Sequence, residues 1–526
     1  MLGECSRGRK VSRYKASSAL CLVLCLLPLL GGCLPGWGSD DDASRSSFSE
    51  SGEVNRTAKT SFLPAKIPFF SAATENSEPA PESAPPPSQP ALTSPTVEIR
   101  TPSRVPPALL PPAQALQNFY AALAALSAGK RTEPVNILHL GGDQVASDKF
   151  AASLREHFVG RFGNAGRGLM LPGLYPVRGM KIDRGGQWSL TSAAGEESGP
   201  FGITGVRVNS AASDAWLRFT SAEGSFDWAE VSLMTGPEQG TAAISVDGNV
   251  ELVPTRSPSI TETSVRVTAK AREIMIRPTG DGPISVLAVA SGTHSPGLVY
   301  SNAGLPGATA SAIGKWDEVF AANEFRKLNP DLIIFEYGVR EGFNDALDMQ
   351  AYEARVKSDL SRLKSLARRA SILVIGPPDG ARLPAFAGSA GSQACRALNT
   401  QEAAAYGKLL ESRDERLARW HAPPHLEAVR LALKRQAAQA GAFFWDWAKY
   451  MGGPCSIHAW TSLKPPLAAL DHVTLTEAGD ERSARALFAE IMAGFEAYPA
   501  SAKARTPVAS AFTAVIEPAK PKKRRP

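Results

Sequence analysis

PVNILHLGGDQV, residues 134–145, decides the fold. The short apolar run at 136–140 reads as a buried strand. The glycines after it open a turn, and a helical pattern follows at 149–162, so the segment is a strand–turn–helix unit. The unit recurs. PDLIIFEYGVREGFN, residues 330–344, gives a strand at 332–337 before a charged helix at 345–369. Strands at 371–375 and 442–447 and helices at 426–440 and 478–495 continue the alternation, and DHVTLTEAG (471–479) leads into the last helix. A further helix at 113–128 is apolar at helical spacing through Leu116, Phe119, Leu123 and Leu126. Strands alternating with helices predict a parallel sheet covered on both faces. In such a sheet function gathers beyond the carboxyl ends of the strands. The loops GGDQ, GVREGF and DHVT are therefore expected to build one crevice.

The texture changes between residues 179 and 296. DAWLRFT (214–220), TAAISVDG (241–248), TSVRVTA (263–269) and REIMIRPTG (272–280) alternate apolar and polar residues between Gly, Pro and Ser. That pattern predicts an antiparallel β-sandwich, inserted into an α/β domain made of residues 113–178 and 297–498. GLMLPGLYP, residues 168–176, reads as a loop at the junction. Trp188, Trp216 and Trp228 in the sandwich are either core residues or the lining of a glycan site.

Both ends carry different information. A basic stretch precedes ALCLVLCLLPLL, residues 19–30. This run is shorter than the roughly 20 residues a bilayer crossing needs, but it suits the apolar part of a signal peptide. LGGC at 30–33 resembles a bacterial lipobox, which implies cleavage before Cys33 and a lipid on it. Leu34 is not the aspartate associated with inner-membrane retention, so the expected place is the outer membrane, facing the periplasm. An ordinary secretory signal or an uncleaved anchor is the alternative. Residues 34–112 are rich in Pro, Ser, Ala and Thr, most clearly in PAPESAPPPSQP (79–90). They read as a disordered tether with a reach of about 50 Å. Residues 499–526 form a basic tail. The net charge of +6 is small for 526 residues and sits partly at these two ends, so it does not indicate nucleic-acid binding.

With Cys5, Cys21 and Cys25 in the leader, Cys33, Cys395 and Cys455 remain. If Cys33 carries lipid, Cys395 and Cys455 are either a disulfide or two buried thiols in an oxidising compartment. Neither has metal-ligand spacing, and no cofactor motif is present.

The three crevice blocks are joined by NAGRGLMLP (164–172), NAGLPG (302–307), GPPD (376–379), PPHL (423–426) and FWDWAKYMGGP (444–454). In order and spacing they resemble the SGNH/GDSL-type hydrolases, in the branch of periplasmic peptidoglycan O-acetylesterases that carries an inserted β-domain. The resemblance runs from about residue 135 to 494. It implies a flavodoxin-like, three-layer α/β/α domain. It also implies four chemical positions: the Ser of a Gly-Asp-Ser turn, an oxyanion-hole Gly, the Asn of a Gly-x-Asn turn and the His of an Asp-x-x-His motif. Asp143 stands in the Ser slot, or Gln144 if the alignment slides by one residue. Arg340 replaces the Asn and Thr474 the His, while Gly304 and Asp471 match. His472 follows Asp471 by one residue instead of three and should point elsewhere. Ser147 is expected to cap a helix start.

This acyl-transfer scheme needs a hydroxyl activated by an imidazole. Loss of either costs about 10⁴–10⁶ in turnover, and here both slots have changed. The expectation is an exported, lipid-anchored, catalytically degenerate protein that binds cell-envelope glycan or a cell-wall-processing partner. The runner-up is a divergent ester hydrolase acting on O-acetylated peptidoglycan or polysaccharide, and a structural envelope protein is a third reading. Arg340 is the expected partner of Asp143, the pair forming a structural lock in the crevice. A metal set of Asp143, Asp471 and His472 is the alternative, and no metal is assigned. Gln144, His472, Trp445 and Trp447 are the candidate binding residues, the two tryptophans as a sugar-stacking platform or as core. Glu336 ends an apolar strand as a buried acid without a nameable partner.

Overall fold

The computed structural model describes residues 108–499 apart from 174, 176, 196 and 389–391. The leader, Cys33, the Pro-rich tether up to residue 107 and the basic tail from residue 500 lie outside the described residues.

Six strands form the central sheet: β1 Val135–Gly141, β2 Asn164–Gly166, β3 Leu298–Gly304, β4 Leu332–Glu336, β5 Ser371–Ile375 and β6 Phe443–Trp445. Their order is β6-β5-β4-β1-β3-β2, parallel throughout. Successive side chains on a strand point to opposite faces. Val135 and Ile137 of β1 accordingly enter one apolar core and Leu138 and Leu140 the other. The first core is covered by helices Gln117–Ser127, Phe150–Phe162 and Glu477–Glu496. The second is covered by Glu318–Leu328, Met349–Leu366 and Pro424–Ala440. Burial on both faces is why these strands read as nearly unbroken apolar runs. The result is a three-layer α/β/α domain. Among the described residues no helix is long and apolar enough to cross a membrane.

Between β2 and β3 the chain builds two antiparallel sheets. One orders Asn249–Pro254, Thr241–Val246, Glu273–Pro278, Trp216–Ser221 and Met180–Gly185. The other orders Thr261–Ala271, Phe226–Thr235, Ile284–Gly292, Val206–Ser210 and Ser189–Ser192. Their inner faces share one core that includes Leu217, Phe219, Val231, Leu233, Ile244 and Ile274. The junction differs from the sequence reading: Gly168–Met170 is a buried strand, not a loop, and pairs antiparallel with Ile284–Gly292. Three successive buried residues cannot leave their backbone groups unpaired, and the edge of the sandwich supplies the partners.

Candidate active-site crevice

The crevice forms where β1, β3 and β4 end. After Gly141 the chain turns through Gly142 into a single helical turn, Asp143–Ala146. This turn is held from behind by Asn302, whose amide nitrogen donates to Val145 O at 3.0 Å and to Asp148 Oδ1 at 2.7 Å. Asp148 is buried in a left-handed conformation (φ 53°) and also accepts from Arg178 N at 2.6 Å and from the Arg167 guanidinium. Gly304 lies against the turn so closely that a Cβ would come within 2.3 Å of Ala146 N. Its own N–H donates to Asn302 Oδ1 at 2.8 Å. In this conformation the glycine is required for packing, and its amide is engaged.

Asp143 projects from the turn into the crevice. Gly307 N donates to Oδ1 at 2.8 Å and Arg340 Nε donates to Oδ2 at 3.1 Å. Arg340 sits on the short helix Val339–Gly342 after β4, which is fixed by buried Glu341 accepting from Ala310 N and Gly338 N. The Asp143 and Arg340 side chains are 52% and 55% exposed. At that exposure an ion pair contributes about 0–1 kcal/mol. The expected pair is therefore present and fills the crevice, and at this exposure it adds little to the stability of the fold.

The third loop is self-contained. Asp471 accepts from Val473 N at 2.9 Å, Thr474 N at 2.8 Å and Thr474 Oγ1 at 2.7 Å. Partial burial pushes the Asp471 carboxyl up, but these bonds outweigh it and hold its pKa below the usual aspartate value. The Thr474 hydroxyl is spent on its own loop. His472 is turned out of the crevice: its ring stacks on Trp420 with centroids 3.7 Å apart, and its Nε2 meets His458 Nδ1 at 2.8 Å. Its Nδ1 donates to Leu470 O at 2.8 Å. Asp143, Asp471 and His472 thus do not converge on a metal position. Among the described residues no group of three or more His, Cys, Asp or Glu is arranged to hold an ion.

Asp143, Gln144, Arg340, Thr474 and Asp480 border a cleft of about 370 Å³. Sequence reading missed Asp480. It lies one turn into the helix Glu477–Glu496, where an acid ordinarily serves the helix dipole, yet it is buried at the cleft wall. Burial, opposed by Lys149, pushes its carboxyl up to about 7. Ser147, in the same cleft, donates to Gln144 O at 2.7 Å instead of capping the next helix, whose N-cap residue is Lys149. Among the described residues no histidine borders this cleft.

The tryptophan platform is not present. Trp445 and Trp447 are 3% and 0% exposed, packed on Phe150, with Trp447 Nε1 bound to Ser483 Oγ at 3.1 Å. Both belong to the first apolar core, so neither ring face is open to a sugar. Glu336 has a partner that sequence did not reveal: His139 of β1, whose Nε2 lies 2.9 Å from Glu336 Oε2. The Nδ1 of the same ring faces Tyr300 Oη at 2.9 Å. The ring thus bridges a carboxylate and a phenol, all three groups buried. Cys395 and Cys455 are joined in a disulfide.

No family model matches the chain, and no curated protein matches it. Solved structures do. A peptidoglycan O-acetylesterase captured in action superposes with a TM-score of 0.58 at 21% identity, over 72% of this chain and 96% of that one. The chain has an SGNH/GDSL hydrolase-like fold. A family two carbohydrate esterase from Clostridium thermocellum, in complex with cellohexaose, matches at 10% identity over 62% of this chain and 100% of that one. The acetyl xylan esterase AlAXEase matches at 12% identity over 38% and 82%. At TM-scores of 0.25 and 0.24 these two are too distant to bear on the fold. In the SGNH-like frame, Asp143, Arg340 and Thr474 stand at the ends of β1 and β4 and in the loop before the last helix, at the mouth of one cleft.

Proposed function

We propose that this is an exported, lipid-anchored SGNH-fold protein of the cell envelope that binds glycan without hydrolysing its esters. The observation that carries the reading is the occupation of the crevice. Asp143 is tied to Arg340 and Gly307 N, and Thr474 Oγ1 is tied to Asp471. Among the described residues no hydroxyl of the crevice is bonded to an imidazole, so the acyl-transfer route lacks its activated nucleophile. The likeness to a peptidoglycan O-acetylesterase supports an acetylated wall glycan as the ligand class. The test is acetate release from O-acetylated peptidoglycan, run beside retention of the purified protein on the same insoluble material. Retention without acetate is expected; acetate release that disappears in Asp143→Ala overturns the reading.

One observation favours a divergent ester hydrolase as the second reading. Asp480 holds a carboxyl titrating near neutrality in the cleft that Ser147 also borders, and groups with such pKa values suit proton transfer at physiological pH. Acetate release abolished by Asp480→Asn, but not by Asp143→Ala, would establish that alternative.

A further inference from the structure

A second cleft, of about 440 Å³, lies at the opposite end of the sheet. It opens between the amino end of β1, at Pro134 and Asn136, and the sandwich strands carrying Trp228, Glu230 and Arg266. The length of β1, about 20 Å at 3.3 Å per residue, separates it from Asp143.

Its walls are built. The Arg266 guanidinium lies over the Trp228 ring at 4.1 Å and is held by Glu230, with Nε to Oε2 at 2.8 Å. Lys327 Nζ lies 3.8 Å from Glu230 and 2.5 Å from Glu262. Behind them Glu324 is 1% exposed. Its Oε2 accepts from Ile203 N at 2.6 Å, while its Oε1 has no hydrogen-bond partner. Burial pushes this carboxyl up to about 7. Leu169, Val299 and Leu328 supply apolar surface between the polar groups.

The signs of the charges select the ligand. Arg131 is paired with Asp331, Arg266 with Glu230 and Lys327 with Glu262, so the cations of the wall are already neutralised and give a charged ligand little to gain. A neutral ligand whose groups both donate and accept hydrogen bonds suits every part of the wall. Hydroxyls and acetamido groups do so, and the C–H faces of a sugar ring suit the apolar patches. The volume falls in the usual range for small-molecule sites. We propose that this cleft is a binding site for a short neutral saccharide, separate from the crevice. The site goes beyond the function proposed above, and its failure would leave that reading untouched.

The test is calorimetric titration of the full-length protein with N,N′-diacetylchitobiose and with cellobiose, together with the fully de-N-acetylated, dicationic chitobiose. Saturable binding of at least one neutral disaccharide is expected. Arg266→Ala and Lys327→Ala should each weaken it at least tenfold, and Arg416→Ala, at an exposed ion pair outside both clefts, should leave it unchanged. The dication should bind at least tenfold more weakly than its neutral parent. Arg266 and Lys327 are half-exposed and partly exposed, so their variants should fold, and circular dichroism checks this. No saturable binding of either neutral sugar, or binding indifferent to both cleft variants, would each overturn the proposal.

Discussion

Arg340 reaches from the end of β4 to Asp143 at the end of β1, its Nε 3.1 Å from Oδ2, with both side chains about half in solvent. The attraction between two such groups is largely cancelled by water and by the entropy of holding long side chains still. Arg340→Ala should therefore change unfolding free energy by no more than about 1 kcal/mol, read from urea denaturation. A loss of several kcal/mol would show that the pair does brace the crevice.

If the crevice is the degenerate site proposed above, replacing three residues should make it an ester hydrolase. On the SGNH resemblance Asp471 matches, and the triple variant Asp143→Ser, Arg340→Asn, Thr474→His would put a nucleophile, an oxyanion amide and a base at the positions that resemblance implies. Because such groups act as a unit, single replacements should do nothing, while the triple variant should hydrolyse p-nitrophenyl acetate at least tenfold faster than the parent. A folded triple variant with parental rates would mean that the backbone of these loops has also drifted.

Much of this was legible in the sequence. Apolar runs ending in GGDQ and GVREGF marked β1 and β4 and the crevice between them, and the alternating runs marked the sandwich. The position of His472 predicted that it would leave the crevice, and it does so toward His458 and Trp420. What stayed hidden depends on pairing across long sequence separations. The His139–Glu336 contact spans 197 residues. The burial of Trp445 and Trp447 depends on Phe150, from another helix. Asp480 looked like any acid in a first helical turn, because its desolvation comes from the packing of separate elements. Glu324 was equally silent on its helix, since the cleft it borders exists only once the sandwich docks.

Asp480 should make stability depend on pH. Its carboxyl is raised from 3.8 to about 7, so between those values the native state keeps a proton that the unfolded chain has released. The group's contribution is full below about pH 4 and is lost as the pH rises to about 7. Asp480→Asn should be more stable than the parent at pH 8, by an amount on the order of 2–4 kcal/mol, and should close that gap at low pH. Urea denaturation at pH 4 and pH 8 measures it; an equal difference at both would refute the assignment.

The Cys395–Cys455 disulfide joins residues 60 apart. Loop-closure entropy gives such a link a stabilising effect of about 4 kcal/mol, with the native conformation unchanged. Reduction by dithiothreitol, or Cys395→Ala with Cys455→Ala, should lower the melting temperature while leaving the near-ultraviolet circular dichroism of the folded state in place. An unaltered melting temperature would contradict this.

The sandwich is inserted between β2 and β3, and β3 pairs with β2 on one side and β1 on the other. The chain leaves and returns at neighbouring points: Leu298 N bonds Gly163 O at 2.9 Å and Thr293 N bonds Ala165 O at 2.8 Å. Along the chain β1 and β2 precede β3 by more than a hundred residues, so the middle of the central sheet cannot close until the intervening segment brings its ends together. A collapsed insert brings its two ends together and turns a closure over more than a hundred flexible residues into a short one. The module thus acts as a staple for its host during folding, and sequence changes that slow its collapse should delay the whole α/β domain even when they touch none of it.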